Sequence, residues 1–256
     1  MKLQIFITYV IFLCIVLGLL WIVNNYNKPP TIDTIWVINL DKETERLKNI
    51  QDKTKPLANI LHRWQATYGK EERVDAAMAD GVGLLMCTDH SDPGKHRIKP
   101  DIVNRNQGSV GCWLSHKRLL QHLASINAPN SWGHFIVEDD LDFPPNFMNA
   151  WEQRRHSVPA DWDIIYLGIH KPKGHLINDK LLKAKTTNDT GNWGTHAYIV
   201  RHGSIKNRIL PRLKYMSHDI DVQLNMHFDD LNVYIMEPAL VKINKQLATK
   251  SSIELD

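Results

Sequence analysis

The residues with the clearest chemical potential are Glu138, Asp139 and Asp140, which follow the apolar run Phe135-Ile136-Val137 without a break. Apolar and β-branched residues in a short run predict the end of a buried strand, so three carboxylates gather where that strand leaves its sheet. Side chains alternate along an extended chain. Glu138 and Asp140 are therefore expected on one side, with Asp139 turned back into the protein. Two carboxylates so placed form an oxygen clamp for Mg²⁺ or Mn²⁺, ions that keep positions open for substrate phosphates. An isolated acidic triplet is more often a solvated turn, so the neighbouring segments decide.

Three other segments carry groups suited to the same chemistry. Thr34-Ile35-Trp36-Val37-Ile38-Asn39-Leu40 reads as a buried strand, and Asp41 is a candidate N-cap for the helix after it. Such a β-to-α turn is where open α/β sheets bind nucleotides, and Arg46 in the first helical turns is placed to reach a diphosphate. Further on, Cys112, His116, Leu119 and Leu123 recur at helical spacing, with Ser115 beside them. Gly108 and Gly111 at that helix start allow close approach of something at its free N–H groups, an anion or a polar sugar. His116 is either a functional group or a core histidine. Finally, Asp219 and Asp221 lie in or near the first turn of a helix predicted from His218 onward.

These groups need a frame, and the chain is long enough to supply one. Its 256 residues suffice for one large domain, and 31 basic against 28 acidic residues give no basic run of the kind that binds nucleic acid. Between Ile5 and Val23 there is no charge; these 19 residues, rising about 1.5 Å each, span roughly 28 Å, near the thickness of a bilayer's hydrocarbon core. The expected organisation is a tail at 1–4, a transmembrane signal anchor at 5–23, a stem at 24–31 with Pro29-Pro30, and one domain at 32–256. Lys2 and Lys28 flank the anchor, and the catalytic part is expected on the non-cytoplasmic side. A disulfide outside the membrane can only join Cys87 to Cys112; the alternative is two free thiols.

A second strand is expected within Leu57–Tyr68, with Trp64 and Ala66 inward, and a short helix between Ala76 and Met86. The segment from Lys95 to Arg105 is basic and irregular. After the carboxylates come a helix from about Asn146 to Arg155, a strand at Asp163–Gly168, a glycine-rich turn into a strand at Gly191–Val200, a helix over Gly203–Leu213, and a strand at Val233–Met236. Strands alternating with helices predict an α/β domain with a mostly parallel central sheet.

Together these stretches resemble glycosyltransferase family 25, which includes bacterial lipooligosaccharide galactosyltransferases and collagen hydroxylysine galactosyltransferases. The likeness rests on Ile38-Asn39-Leu40 with Arg46, Trp64-Gln65-Ala66 with Gly69, Gly108 to His116, Phe135 to Asp140, Asp163 to Gly168, Gly194 to Tyr198, Asp221 with Leu224, and Ser251-Ser252-Ile253, in family order. It implies a nucleotide-diphospho-sugar transferase (GT-A type) fold, a metal-dependent UDP-sugar site and inversion at the anomeric carbon. On that resemblance Glu138 and Asp140 hold Mn²⁺ or Mg²⁺. Asn39, Arg46, Gly111, Ser115, Asp139, Gly194 and Thr195 bind the donor. Asp221 serves as base, with Asp219 and His116 as further candidates. The sugar is expected to be galactose or glucose, and the acceptor a glycan, a lipid-linked saccharide or a protein hydroxyl. Two other classes compete: a catalytically idle, membrane-anchored binding or scaffold protein, and a metal-dependent phosphodiesterase or nuclease, which needs a denser His and Asp cluster for two metals.

Overall fold

The computed structural model describes residues 9–18, 28–83, 107–187 and 190–248. Its centre is an eight-stranded sheet in the order β2-β1-β3-β8-β5-β9-β7-β6. The strands are β1 (Thr34–Asn39), β2 (Leu61–Gln65), β3 (Gly133–Glu138), β5 (Ile164–His170), β6 (Gly174–Asn178), β7 (Leu181–Ala184), β8 (Trp193–Arg201) and β9 (Val233–Met236). A separate two-stranded ribbon pairs β4 (Leu141–Asp142) with β10 (Lys242–Ile243). Strands β2, β1, β3, β5, β9 and β6 run one way, while β8 and β7 run against them.

The sheet is covered on both faces, which is why its strands read as unbroken apolar runs rather than as alternating ones. On one face Ile38, Ile136, Tyr166, Tyr198 and Val200 pack against Trp113, Leu114, Leu119, Leu120 and Leu123 of α3 (Gln107–Ser125). On the other, Ile35, Val37, Phe135, Val137 and Ile199 meet Ile50 of α1 (Thr44–Lys53) and Phe147 and Trp151 of α4 (Phe147–Arg155). A short helix α2 (Val74–Ala79) precedes α3, and α5 (Ile220–Asn225) is tied to α3 where Trp113 Nε1 donates to Gln223 Oε1 at 2.9 Å.

Several local expectations change. Helix α1 begins at Thr44, after Glu43, and Asp41 does not cap it. The Asp41 carboxylate instead pairs with Arg63 and accepts from Gln65 Nε2 at 2.6 Å, stronger partners than a frayed helix end. The second strand is confined to Leu61–Gln65 because Lys55–Leu57 forms a tight helical turn led by Pro56. Residues 202–213 wind through α, π and 3₁₀ turns rather than one regular helix, with Pro211 near the change. Asp163 ties this region to the sheet: it accepts from Ser204 Oγ, Arg208 Nε and the Asn232 backbone N–H.

The 84–106 segment, with Cys87 and the Lys95–Arg105 stretch, and the Ser251-Ser252-Ile253 motif lie outside the described residues. Residues 9–18 are helical, and Tyr9, Ile11, Phe12, Ile15 and Leu17 are exposed. The rest of Ile5–Val23 is outside the described residues, among which no helix is long and apolar enough to cross a membrane.

His134, fully buried in β3, faces Thr34 Oγ1 at 2.8 Å and His202 Nδ1 at 3.0 Å. Burial, helped by His202, pushes its pKa from the usual 6.5 down to about 4. A depressed pKa means the unfolded chain binds the proton more tightly, so this stability is complete above pH 6.5 and is lost as pH falls towards 4. At about 1.4 kcal/mol per pH unit the loss reaches the order of 3 kcal/mol. Urea unfolding should show a midpoint that is flat above pH 7, declines below 6.5, and declines less in His134→Gln. An unchanged decline in that variant assigns it to other groups.

Candidate active site

The carboxyl ends of β1 and β3 lie side by side, since Ile38 is in register with Glu138. An open cleft there encloses about 720 Å³, including solvent at its mouth, and is lined by Arg46, Thr67, Cys112, Ser115, His116 and the three carboxylates, among others.

Asp139 turns inward, as the strand alternation predicts. It is 8 % exposed, accepting from Asn39 Nδ2 at 2.7 Å and from Arg46 Nη1 at 3.2 Å. Arg46 also donates to the Leu247 carbonyl at 2.8 Å, tying the C-terminal turn α6 (Lys245–Ala248) to the rim. Asn39 is nearly buried and further occupied by Glu43 O and Arg63 Nε. Asn39, Arg46 and Asp139 thus form one network that shapes the wall, and Arg46 is turned to that network as well as to the cleft.

Glu138 and Asp140 remain on the cleft side. Burial raises the Glu138 pKa, but the facing His116, then His196 and the Thr195 hydroxyl outweigh it and hold the carboxyl below its usual range. For Asp140 the opposing groups, Arg46 and its own backbone N–H, are outweighed. Burial, then repulsion from Glu138 and Asp139, pushes its pKa up to about 7, and its buried Oδ1 has no hydrogen-bond partner among the described residues. Crowded carboxylates with an orphaned oxygen fit a cation, which would relieve the repulsion that the protein's own groups leave standing.

The helix start plays a different part from the one its glycines suggested. A Cβ at Gly111 would stand 2.7 Å from the Thr67 carbonyl and 2.8 Å from the Gly69 nitrogen. What approaches closely is therefore the chain itself. Ser115 Oγ accepts from the Thr67 N–H at 2.8 Å and donates to Gly111 O at 2.6 Å, so Gly111 and Ser115 fix the 67–69 loop against α3. One turn on, His116 is fully buried, with Nδ1 3.0 Å from the Tyr198 hydroxyl and Nε2 3.6 Å from Glu138 Oε1.

From the other side, β8 brings Gly194, Thr195 and His196. Thr195 Oγ1 donates to Glu138 Oε1 at 3.3 Å. Gly194 has φ +91°, and its N–H donates to Asp221 Oδ2 at 2.7 Å. Asp221 Oδ1 accepts from Val222 N–H at 2.8 Å. Burial raises the Asp221 pKa, opposed by those two N–H groups and aided by Asp219 and Glu138. Asp221 lies within electrostatic reach of the acidic clamp but does not line the cleft, and Asp219 is exposed beside it.

Three participants were not singled out from sequence as ligands or supports in this arrangement: Cys112 as a neighbour of the carboxylates, His196 and Tyr198. The signal was available, since residues 194, 196 and 198 fall on one strand face by period-two alternation. His196 is nearly buried beneath Gly168 and Gly194, where added Cβ atoms would come within 2.9 and 2.7 Å of its ring nitrogens. Burial pushes its pKa down to about 4, so the ring is neutral at pH 7.

A mixed α/β sheet with an acidic cleft at the carboxyl ends of its parallel strands fits a GT-A-like domain. The family model described as "Glycosyltransferase family 25 (LPS biosynthesis protein)" matches residues 32–223, and the chain belongs to that family of glycosyltransferases. A protein of Drosophila pseudoobscura pseudoobscura named "Glycosyltransferase 25 family member" is 28% identical over 147 residues, which cover 56% of this chain and 21% of that relative. The chain thus matches about a fifth of the relative's length.

Removing Asp139 would leave Asn39 and Arg46 without their shared buried acceptor. Asp139→Ala should therefore cost about 3 kcal/mol of stability, read from urea unfolding. A loss below about 1 kcal/mol would mean that the network does not hold the rim.

Proposed function

We infer that this chain is a metal-dependent inverting glycosyltransferase that moves a hexose, galactose or glucose, from a UDP-sugar to a glycan, lipid-linked saccharide or protein hydroxyl. The observation that carries the reading is the carboxylate pair at the end of β3, with Asp140 Oδ1 buried and unpartnered in a cleft that belongs to a glycosyltransferase domain.

Glu138 and Asp140 would hold Mn²⁺ or Mg²⁺. The ion, when bound, supplies positive charge where the leaving diphosphate becomes more negative. The rest falls to the chain. Glu138 is kept ionised by His116 and Thr195, and the Asn39–Asp139–Arg46 network holds the strand ends at a fixed spacing. Asp221 takes the proton of the acceptor hydroxyl, reached from a segment distinct from the clamp as inversion requires. Its raised pKa makes it a better base than a free aspartate. Residues 5–23 anchor the chain in a membrane with the catalytic domain on the non-cytoplasmic side; the exposed apolar side chains of the 9–18 helix support this.

UDP release from UDP-galactose or UDP-glucose should require Mn²⁺ or Mg²⁺, and undiminished turnover in excess EDTA would reject metal dependence. Asp140→Asn should lose at least about a hundredfold in rate, close to 2.7 kcal/mol, together with metal-dependent UDP binding in calorimetry. Asp221→Asn should bind UDP and Mn²⁺ nearly as the parent does yet transfer almost no sugar. If it abolishes binding, Asp221 serves the donor, and Asp219 or His116 takes the base's role. Carbonate extraction should leave the full chain in the membrane pellet; its appearance in the supernatant would reject the anchor.

A further inference from the structure

The acidic clamp does not account for two side chains that point at it. Cys112 and His116 stand one helical turn apart on α3, and the donor atoms of Cys112, His116 and Glu138 all lie within 4.8 Å of one another. His116 is fully buried, and its Nε2 has no hydrogen-bond partner among the described residues, although buried ring nitrogens are ordinarily satisfied. Its other nitrogen lies 3.0 Å from the Tyr198 hydroxyl. When a cation binds, a proton kept on Nδ1 and donated to that hydroxyl frees the Nε2 lone pair that faces Glu138, the tautomer and orientation that ligating imidazoles adopt.

We propose that Cys112 Sγ, His116 Nε2 and a Glu138 carboxylate oxygen form a site for a thiophilic divalent cation of the Zn²⁺ class. Ligands at 2.0–2.3 Å around a tetrahedral ion stand about 3.3–3.8 Å apart. His116 Nε2 and Glu138 Oε1 are already 3.6 Å apart, and the widest spacing in the set closes with a shift of about an ångström. Cys112 gives up its proton to solvent when the ion binds, and the fourth position goes to water or a phosphate oxygen. A nitrogen and a sulfur donor select against Mg²⁺ and towards Zn²⁺ or Co²⁺, whereas the Glu138–Asp140 pair offers oxygen alone. Because both sets use Glu138, occupancy of this one withdraws a ligand from the clamp. Zn²⁺ is thus a competitor of the hard ion in the same cleft. The site rests on the cleft's geometry; its relation to turnover rests on the function proposed above.

The test uses the reduced full-length protein, freed of metal with a chelator, and Co²⁺ as the probe, with no sugar nucleotide present. Co²⁺ should produce a sulfur-to-cobalt charge-transfer band in the near ultraviolet that Zn²⁺ abolishes by displacement. Cys112→Ser should lose the band, and His116→Gln should bind Co²⁺ at least about tenfold more weakly, each with an unchanged circular dichroism spectrum. Asp140→Asn should keep the band. Binding without the band, a band that survives in Cys112→Ser, or a band lost in Asp140→Asn would overturn the proposal. These readouts contain no transfer step, so a failure of glycosyl transfer leaves them intact, and a missing band leaves the transferase reading intact.

Discussion

A carboxylate buried at the end of a central strand is the constraint from which the site follows. Asp139 cannot remain ionised there without partners, and it takes them from the neighbouring parallel strand and the helix after it: Asn39 from β1 and Arg46 from α1. These contacts fix the two strand ends and, through the Leu247 carbonyl, the C-terminal turn. They also direct the Arg46 guanidinium to Asp139, and its effect on Asp140 is outweighed by burial and by the two neighbouring carboxylates. Asp140 is left with an elevated pKa and an orphaned oxygen. The protein pairs one carboxylate thoroughly and leaves the next one incomplete, and that contrast makes the cleft a site rather than a wall.

Strand direction explains how distant segments reach the same point. The carboxyl ends of β3 and β5 lie at the cleft edge of the sheet, and β8 runs antiparallel between them. An antiparallel insert brings its own beginning to its neighbours' ends. Gly194, Thr195 and His196, at the start of β8, therefore arrive next to Glu138. The two glycines on either side of His196 leave room for its ring in a place where a side chain would collide. The same register gives Gly194 a free N–H for Asp221, which couples α5 to the sheet.

Much of this was legible in the sequence, for physical reasons. The apolar run ending in Glu138-Asp139-Asp140 announces a buried strand with a charged tip, and the alternation that sends Asp139 inward needs nothing beyond the pleat. β1, β5, β8 and β9 are long or β-branched enough to be read directly, and β9 falls on the expected Val233–Met236. The short strands β6, at the sheet edge, and β7, beside it, carry an asparagine, a lysine and mixed exposure, and lack such a signal. Gly111 was readable as a site of close approach, but sequence cannot distinguish an approaching ligand from the approaching Thr67–Gly69 backbone. Asp41 looked like a cap because local signals know nothing of Arg63, which lies across the adjacent strand. Long-range partners decided each of these cases.

The position of Asp221 shows why structural and chemical roles in this site overlap without excluding each other. Its two oxygens each accept one backbone N–H, from Gly194 and from Val222. A carboxylate oxygen has two acceptor directions, so both retain one for an incoming hydroxyl proton while the holding bonds stay in place. An amide at this position has only one oxygen, and its NH₂ cannot accept. One of the two backbone N–H groups would then lose its partner, and the glycine with φ +91° or the first turn of α5 would bear the loss. Activity alone thus confounds a missing base with a displaced strand start. On the proposed function, nucleotide binding depends on Glu138, which β8 helps to support through Thr195, and it separates the two.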